Sequence, residues 1–184
     1  FSDFRHGIFN SNSISKFSSI SKKYKFRAAD SQVASRWGNI TDFKNFNLII
    51  PNEREARFSL GDQDSTVRDL VLKLYDKTKT KNIILKMGNK GIFSFLGSKN
   101  KKNDFAFSTD SFTNNAIDPV GAGDALLAYS TLSLIASKSL IISSIIGSIA
   151  AACECEKDGN IPITSQEVVA RIGQIQKNTK YIIE

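Results

Sequence analysis

The segment Asp118-Pro119-Val120-Gly121-Ala122-Gly123-Asp124 runs straight into the apolar stretch that begins at Ala125. Its residue types and their order suit phosphoryl transfer. Gly121 and Gly123 lack Cβ atoms, so the backbone can take conformations closed to other residues and bring its N–H groups, with that of Ala122, close to an anion. A helix starting here adds unsatisfied N–H donors and a partial positive charge at its N-terminus. A carboxylate in its first turn, Asp124, would repel an anion unless it had a task of its own. Accepting the proton of an attacking hydroxyl is such a task. The plainer alternative is that Asp124 only stabilises the helix terminus.

Two further groups bear on the same chemistry. Asn52 and Glu55 lie three apart after the apolar run 48–50, which puts both on one side of a helical turn. An amide and a carboxylate so placed suit magnesium, which takes oxygen ligands and keeps several waters. Equally, Asn52 can be an N-cap with Glu55 in the first turn. Gly88 and Gly91 flank a tight connection between strands.

Taken together these residues resemble the ribokinase-like carbohydrate kinases, also called the B-type phosphofructokinase family, whose signature is close to Asp-Thr-Thr-Gly-Ala-Gly-Asp. Pro119 and Val120 replace the two threonines. Pro51-Asn52-Glu53-Arg54-Glu55-Ala56 is similar to the family's Asn-x-x-Glu element. Lys86-Met87-Gly88-Asn89-Lys90-Gly91 resembles its Thr-x-Gly-x-x-Gly turn, with Lys86 where threonine is usual. Asp3-Phe4-Arg5-His6-Gly7 resembles its Asp-Tyr-x-Lys-Gly segment, and the four pieces occur in the family's order over almost the whole chain.

The resemblance implies a ribokinase-like α/β fold and transfer of the ATP γ-phosphate to a hydroxyl of a sugar or sugar phosphate. Asp124 is then the general base, with Gly121, Ala122 and Gly123 beside the transferring group. Asn52, Lys86, Gly88, Gly91, Gly121, Gly123 and Ala150 border the nucleotide. Arg5, His6 and Asp124 meet the substrate. Magnesium is organised by Asn52 and Glu55, largely through water. Asp118 resembles the position that helps hold a monovalent cation such as K+, with carbonyls from residues 156–161; equally, it can fix the loop by accepting backbone N–H groups.

Asp-Phe-Arg-His-Gly, Ala29-Asp30-Ser31-Gln32 and Pro51 to Ala56 look most like the heptose-phosphate kinase part of ADP-heptose synthases. A ribose, fructose-phosphate or nucleoside kinase of the same family is the near alternative. A non-catalytic nucleotide-binding fragment that needs a partner piece is the distant one. Family members are substantially longer, and most sugar-contacting strands and the lid precede the Asp-Tyr-x-Lys-Gly segment. The chain is therefore expected to be the carboxy-terminal, ATP-binding portion, without the N-terminal part and lid. Such a piece is expected to associate, as a homodimer or otherwise, through an uncovered sheet edge.

The elements that must position these residues are legible in the apolar pattern. Residues 23–29, 46–51, 81–87 and 91–96 read as strands, and the last pairs with 105–108 as a hairpin at the sheet's margin. Val67, Leu70, Val71 and Leu74 repeat at helical spacing after the capping run Ser65 to Asp69. Strands alternating with helices predict a mostly parallel sheet flanked by helices, in a single domain over residues 1–184. The Asn52, Gly88 and Gly121 loops each follow a strand-like run, so they are expected to meet in one crevice beyond the strands' carboxyl ends.

The length and a 41% apolar share suffice for one packed core. The net charge of +7 is spread over turns and helix exteriors, with a compact run only at Lys99, Lys101 and Lys102. That scatter argues against a nucleic-acid partner. Two cysteines, Cys153 and Cys155, are too few and wrongly spaced for a zinc site and fit a reducing, cytoplasmic compartment. Lys138 and repeated serines interrupt the apolar stretch 132–153, which predicts two buried helices broken near 137–139 and no membrane span. No Gly-x-Gly-x-x-Gly follows the first strand, which argues against a dinucleotide-dependent oxidoreductase.

Overall fold

The computed structural model describes residues 1–32, 38–98, 103–159 and 161–178. The basic run at Lys99, Lys101 and Lys102 lies outside these, as does Asn160 in the loop 156–161. The chain divides into two compact units, residues 1–110 and 111–184.

The first unit holds β1 (Ser2–Asp3), α1 (Ser11–Ile20), β2 (Ala28–Ser31), β3 (Leu48–Ile49), α2 (Glu53–Leu60), α3 (Val67–Thr78), β4 (Asn82–Lys86), β5 (Ile92–Leu96) and β6 (Phe105–Thr109). The six strands form one sheet in sequential order. Neighbours from β1 to β4 pair parallel, while β4, β5 and β6 pair antiparallel. The sheet is therefore mixed, with the predicted hairpin at one margin. Parallel neighbours need crossovers, and α1 and the α2–α3 pair supply two of them.

Residues 23–29 were expected as one strand, but a 3-10 turn occupies Ser21–Lys23 and the strand runs Ala28–Ser31. Its start is set by β3: the amides of Leu48 and of Asn47, the residue before the strand, both donate to the Arg27 carbonyl, so the ladder begins only there. Phe1 and Asp3 extend the sheet as β1 by accepting from the Asp30 and Gln32 amides, a pairing that nothing local in the sequence announces.

One sheet face packs Ile49, Ile83 and Leu85 against Ile14 of α1, Ala56 of α2 and Leu70, Val71 and Leu74 of α3. The α3 positions are those with helical spacing, and Thr66 caps the helix by accepting from the Asp69 amide. Leu48, Ile50 and Ile84 on the alternate positions are fully buried too, as parallel strands require.

The second unit is built on α4 (Ala122–Ser137), α5 (Leu140–Cys155) and α6 (Ser165–Asn178). Lys138 takes a left-handed conformation with φ +58° and ends α4, and the Ser139 hydroxyl caps α5, so the break falls where the sequence placed it. The helices are less buried than expected: Leu132, Ile135, Ile141 and Ile142 are exposed. Gly147 lets α4 and α5 cross closely, because a Cβ there would overlap the Ser130 hydroxyl. Ser130 and Ser143 donate to each other's carbonyls across that crossing, at 3.2 and 2.8 Å. Ala125, Ile149, Ala150 and Val168 form the core. Among the described residues no helix is long and apolar enough to cross a membrane.

Candidate active site

The expected site residues fall in both units. In the second, Gly121 is the N-cap of α4 with φ +88°, a left-handed conformation that an L side chain rarely adopts. Ala122 and Gly123 form the first turn, with Asp124 exposed beside them. The Ala122 amide donates weakly to the Pro119 carbonyl at 3.3 Å and that of Ala125 to the Gly121 carbonyl at 2.9 Å. The Gly121 and Gly123 amides have no protein acceptor among the described residues. Two glycines, a helix terminus and an exposed carboxylate thus occupy one turn.

The loop is held from both ends. The Ile117 and Asp118 amides donate to the Cys155 carbonyl at the end of α5, at 2.7 and 3.1 Å. One Asp118 carboxylate oxygen accepts from the Val120 amide at 2.9 Å, the turn-fixing arrangement that the sequence left open beside cation binding. Glu156 follows α5 and accepts from Arg171 and from the Asn114 amide, at 2.7 and 2.8 Å. Ala150, expected near the nucleotide, is fully buried in the core of this unit.

In the first unit, Asn52 and Glu55 close a reciprocal helix cap. Asn52 Oδ1 accepts from the Glu55 amide at 2.7 Å, and Glu55 Oε2 accepts from the Asn52 amide at 2.6 Å. Lys86, the last residue of β4, donates from Nζ to Asp30 Oδ2 at 2.7 Å and lies 4.0 Å from Glu55 Oε2. Asp30 and Glu55 are buried. Lys86 therefore neither extends to solvent nor stands open for a phosphate. Asn52 and Glu55 were expected to organise magnesium largely through water; Asn52 Oδ1 and Glu55 Oε2 each accept an amide here, and the Lys86 ammonium lies 4.0 Å from the carboxylate, so neither of these two oxygens is open to a directly held divalent ion. Among the described residues no group of three or more His, Cys, Asp or Glu is arranged to hold a metal.

Gly88 and Gly91, with φ +62° and +81°, make the tight connection from β4 to β5, closed by the Met87 amide on the Gly91 carbonyl. Arg5, expected as an anion contact, is folded back. It is buried with φ +54°, donating from its amide and Nε to Asp3 at 2.9 and 2.7 Å and from Nη2 to Asp42 at 3.0 Å. Ser31 adds a hydrogen bond to the same Asp3 carboxylate at 2.8 Å. His6 is exposed, its ring 6.3 Å from that of Phe4. Sequence reasoning flagged Asp30 but missed its pairing with Lys86, and missed Asp42 altogether. No spacing signal relates residues so far apart.

Residues 17–167 match the model of the pfkB family carbohydrate kinases. No curated protein matches the sequence at a significant level. Among solved structures, phosphofructokinase-2 from Escherichia coli in complex with potassium is similar at a TM-score of 0.74 and 17% identity, over 91% of this chain and 53% of that one. Ribokinase from Giardia lamblia is similar at 0.74 and 18%, over 90% and 57%, and ribokinase from Thermotoga maritima at 0.69 and 22%, over 87% and 53%. The chain thus spans about half the length of the solved structures that it matches, and they share its fold. With more than half of its residues covered by the family model, the chain belongs to the pfkB family of carbohydrate kinases.

Proposed function

We propose that this chain is the nucleotide-binding portion of a cytoplasmic, ATP-dependent kinase that phosphorylates a hydroxyl of a sugar or sugar phosphate, with Asp124 as the general base. The observation that carries this reading is the first turn of α4, where amides at Gly121 and Gly123 without protein acceptors stand next to an exposed carboxylate. Asp124 takes the proton of the acceptor hydroxyl, whose oxygen forms the new bond to the γ-phosphorus. The bond from that phosphorus to the β–γ bridging oxygen breaks, and ADP leaves. The amides of Ala122 and Gly123 and the helix terminus stabilise the charge on the transferring group.

The family model matches residues 17–167, a span that includes parts of both units. A structure of Arabidopsis thaliana ribokinase with ribose and ATP is similar at a TM-score of 0.68 and 18% identity, over 88% of this chain and 51% of that one. It supports a pentose or larger sugar as the acceptor class. A heptose phosphate is favoured here on the residues 3–7, 29–32 and 51–56. Arg5 is engaged with Asp3 and Asp42, so within 3–7 the exposed His6 is the group left to meet the substrate. Gly88 and Gly91 at the β4–β5 turn border the nucleotide in this reading. Asp118 keeps carboxylate lone pairs beyond its bond to Val120, and a monovalent cation held there would add positive charge beside the anion loop; the related phosphofructokinase-2 was solved with potassium. The edge strands β1 and β6 are where association with a second copy or a partner piece would occur.

The test is ADP release by this chain over a panel of sugars and sugar phosphates, with ATP binding measured in parallel. Asp124→Asn should lower sugar-dependent turnover by about 10²–10⁴-fold while ATP still binds. Unchanged turnover removes the base assignment. ATP binding with no sugar-dependent release in the wild type favours the alternative, a nucleotide-binding module without chemistry.

A further inference from the structure

We infer that the groove between α1 and residues 42–45 is a second anion site, suited to a small phosphate ester and separate from the phosphoryl-transfer residues. The groove measures about 500 Å³, a size that suits a metabolite. Along one wall α1 and the turn after it present Ser11, Ser15, Ser19 and Lys22, which repeat at helical spacing and so share a face. The other wall carries Arg27, Asp42, Lys44 and Asn45. Three cations therefore meet one carboxylate, and that carboxylate, Asp42, already pairs with Arg5 Nη2 at 3.0 Å.

Arg27 donates from Nη1 to the Ser18 carbonyl at 3.3 Å and from Nη2 to the Asn45 carbonyl at 2.6 Å, and its guanidinium lies 4.7 Å from the centroid of the Phe46 ring. Carbonyls and a ring face hold the group in place without cancelling its charge, so it is oriented before an anion arrives. Lys22 and Lys44 are exposed, and among the described residues neither ammonium has a protein acceptor; the hydroxyls of Ser11, Ser15 and Ser19 likewise make no hydrogen bond there. The surrounding chain adds to the field: from Phe4 to Ala29 it carries Arg5, Lys16, Lys22, Lys23, Lys25 and Arg27 and no acidic residue. A phosphate monoester brings about two negative charges and several oxygens that accept from ammonium, guanidinium and hydroxyl groups together. Arg27 directly precedes β2, and Lys44 and Asn45 lie a few residues before β3, so the cations gather at the amino ends of these strands. Asn52 and Gly88 follow β3 and β4 at the carboxyl ends, which separates the groove from the turns expected to border the nucleotide.

The probe is inorganic pyrophosphate, titrated into the full chain at constant ionic strength and followed by nuclear magnetic resonance of the backbone amides. The amides of Ser15, Ser19, Lys22 and Lys44 should shift together and saturate. These resonances report the groove itself, so the result does not depend on whether the α4 turn binds a nucleotide or the chain transfers phosphate. Lys22→Gln combined with Lys44→Gln should weaken the binding by at least about tenfold, and Lys22→Glu combined with Lys44→Glu should abolish it. Lys77→Glu, a charge reversal at an exposed position of α3, should leave it unchanged. The wild-type titration needs no variant, and both groove lysines are exposed, so their replacement tests charge rather than packing. Three results overturn the inference: no saturable shift of these amides at millimolar pyrophosphate, undiminished binding in the Lys22 and Lys44 variants, or equal weakening by Lys77→Glu.

Discussion

Gly147→Ala probes the packing behind the anion loop. α4 presents Gly121 to Asp124 at its N-terminus, and the carbonyl at the end of α5 holds the Ile117 and Asp118 amides, so the crossing of the two helices helps to set the loop. A Cβ at 147 would overlap the Ser130 hydroxyl and come within 3.0 Å of Leu126 Cδ1 and 3.1 Å of Ser130 Cβ. In an exposed helix the substitution would stabilise by about 1 kcal/mol through propensity alone. Here Ser130 is fully buried, and turning its hydroxyl away abandons the bond to the Ser143 carbonyl. That loss is about 1 kcal/mol, and overpacking adds about 1–3 kcal/mol. The net expectation is destabilisation of about 2 kcal/mol, read as a lower urea midpoint at constant slope. Ser130→Ala removes the overlapping atom, so the double variant should be at least about 1 kcal/mol more stable than the sum of the singles predicts. A Gly147→Ala chain more stable than the wild type, or strict additivity, would refute the close-crossing argument.

Two further outcomes follow from buried and surface charge. Arg5→Ala leaves the almost fully buried Asp3 carboxylate without its cation, and urea unfolding should show a loss of about 3–5 kcal/mol; a loss within experimental error would mean that Asp3 is held by other groups. In α6, the ion pair with Lys157 and the hydrogen bonds from the Thr164 amide and hydroxyl bring the Glu167 carboxyl down from 4.5 to about 2. A depressed folded value means that this stabilisation is complete above the ordinary carboxylate range and is lost as pH falls toward about 2. Nuclear magnetic resonance titration of Glu167 should give that low midpoint and an upward move in Lys157→Met; an ordinary midpoint in the wild type contradicts the geometry.

The sequence by itself determined the local features of this protein. The Gly-Ala-Gly-Asp turn at a helix start, the apolar face of α3, the break at Lys138 and the β4–β5 connection at Gly88 to Gly91 were all readable, because each depends on residues within a turn or two of one another. At Asn52 and Glu55 the sequence held two readings, and the structure closed the cap. Only the tertiary structure decided which charges meet. Lys86 and Asp30 are 56 residues apart, and Arg5 and Asp42 are 37. Their contacts exist because sheet order and parallel register bring the ends of β2 and β4 together and place β1 beside β2. Strand order is a property of the whole core, since each pairing is chosen by what every other strand buries. No local spacing of residues encodes it, and so the cation beside Glu55 became visible only once the sheet was assembled.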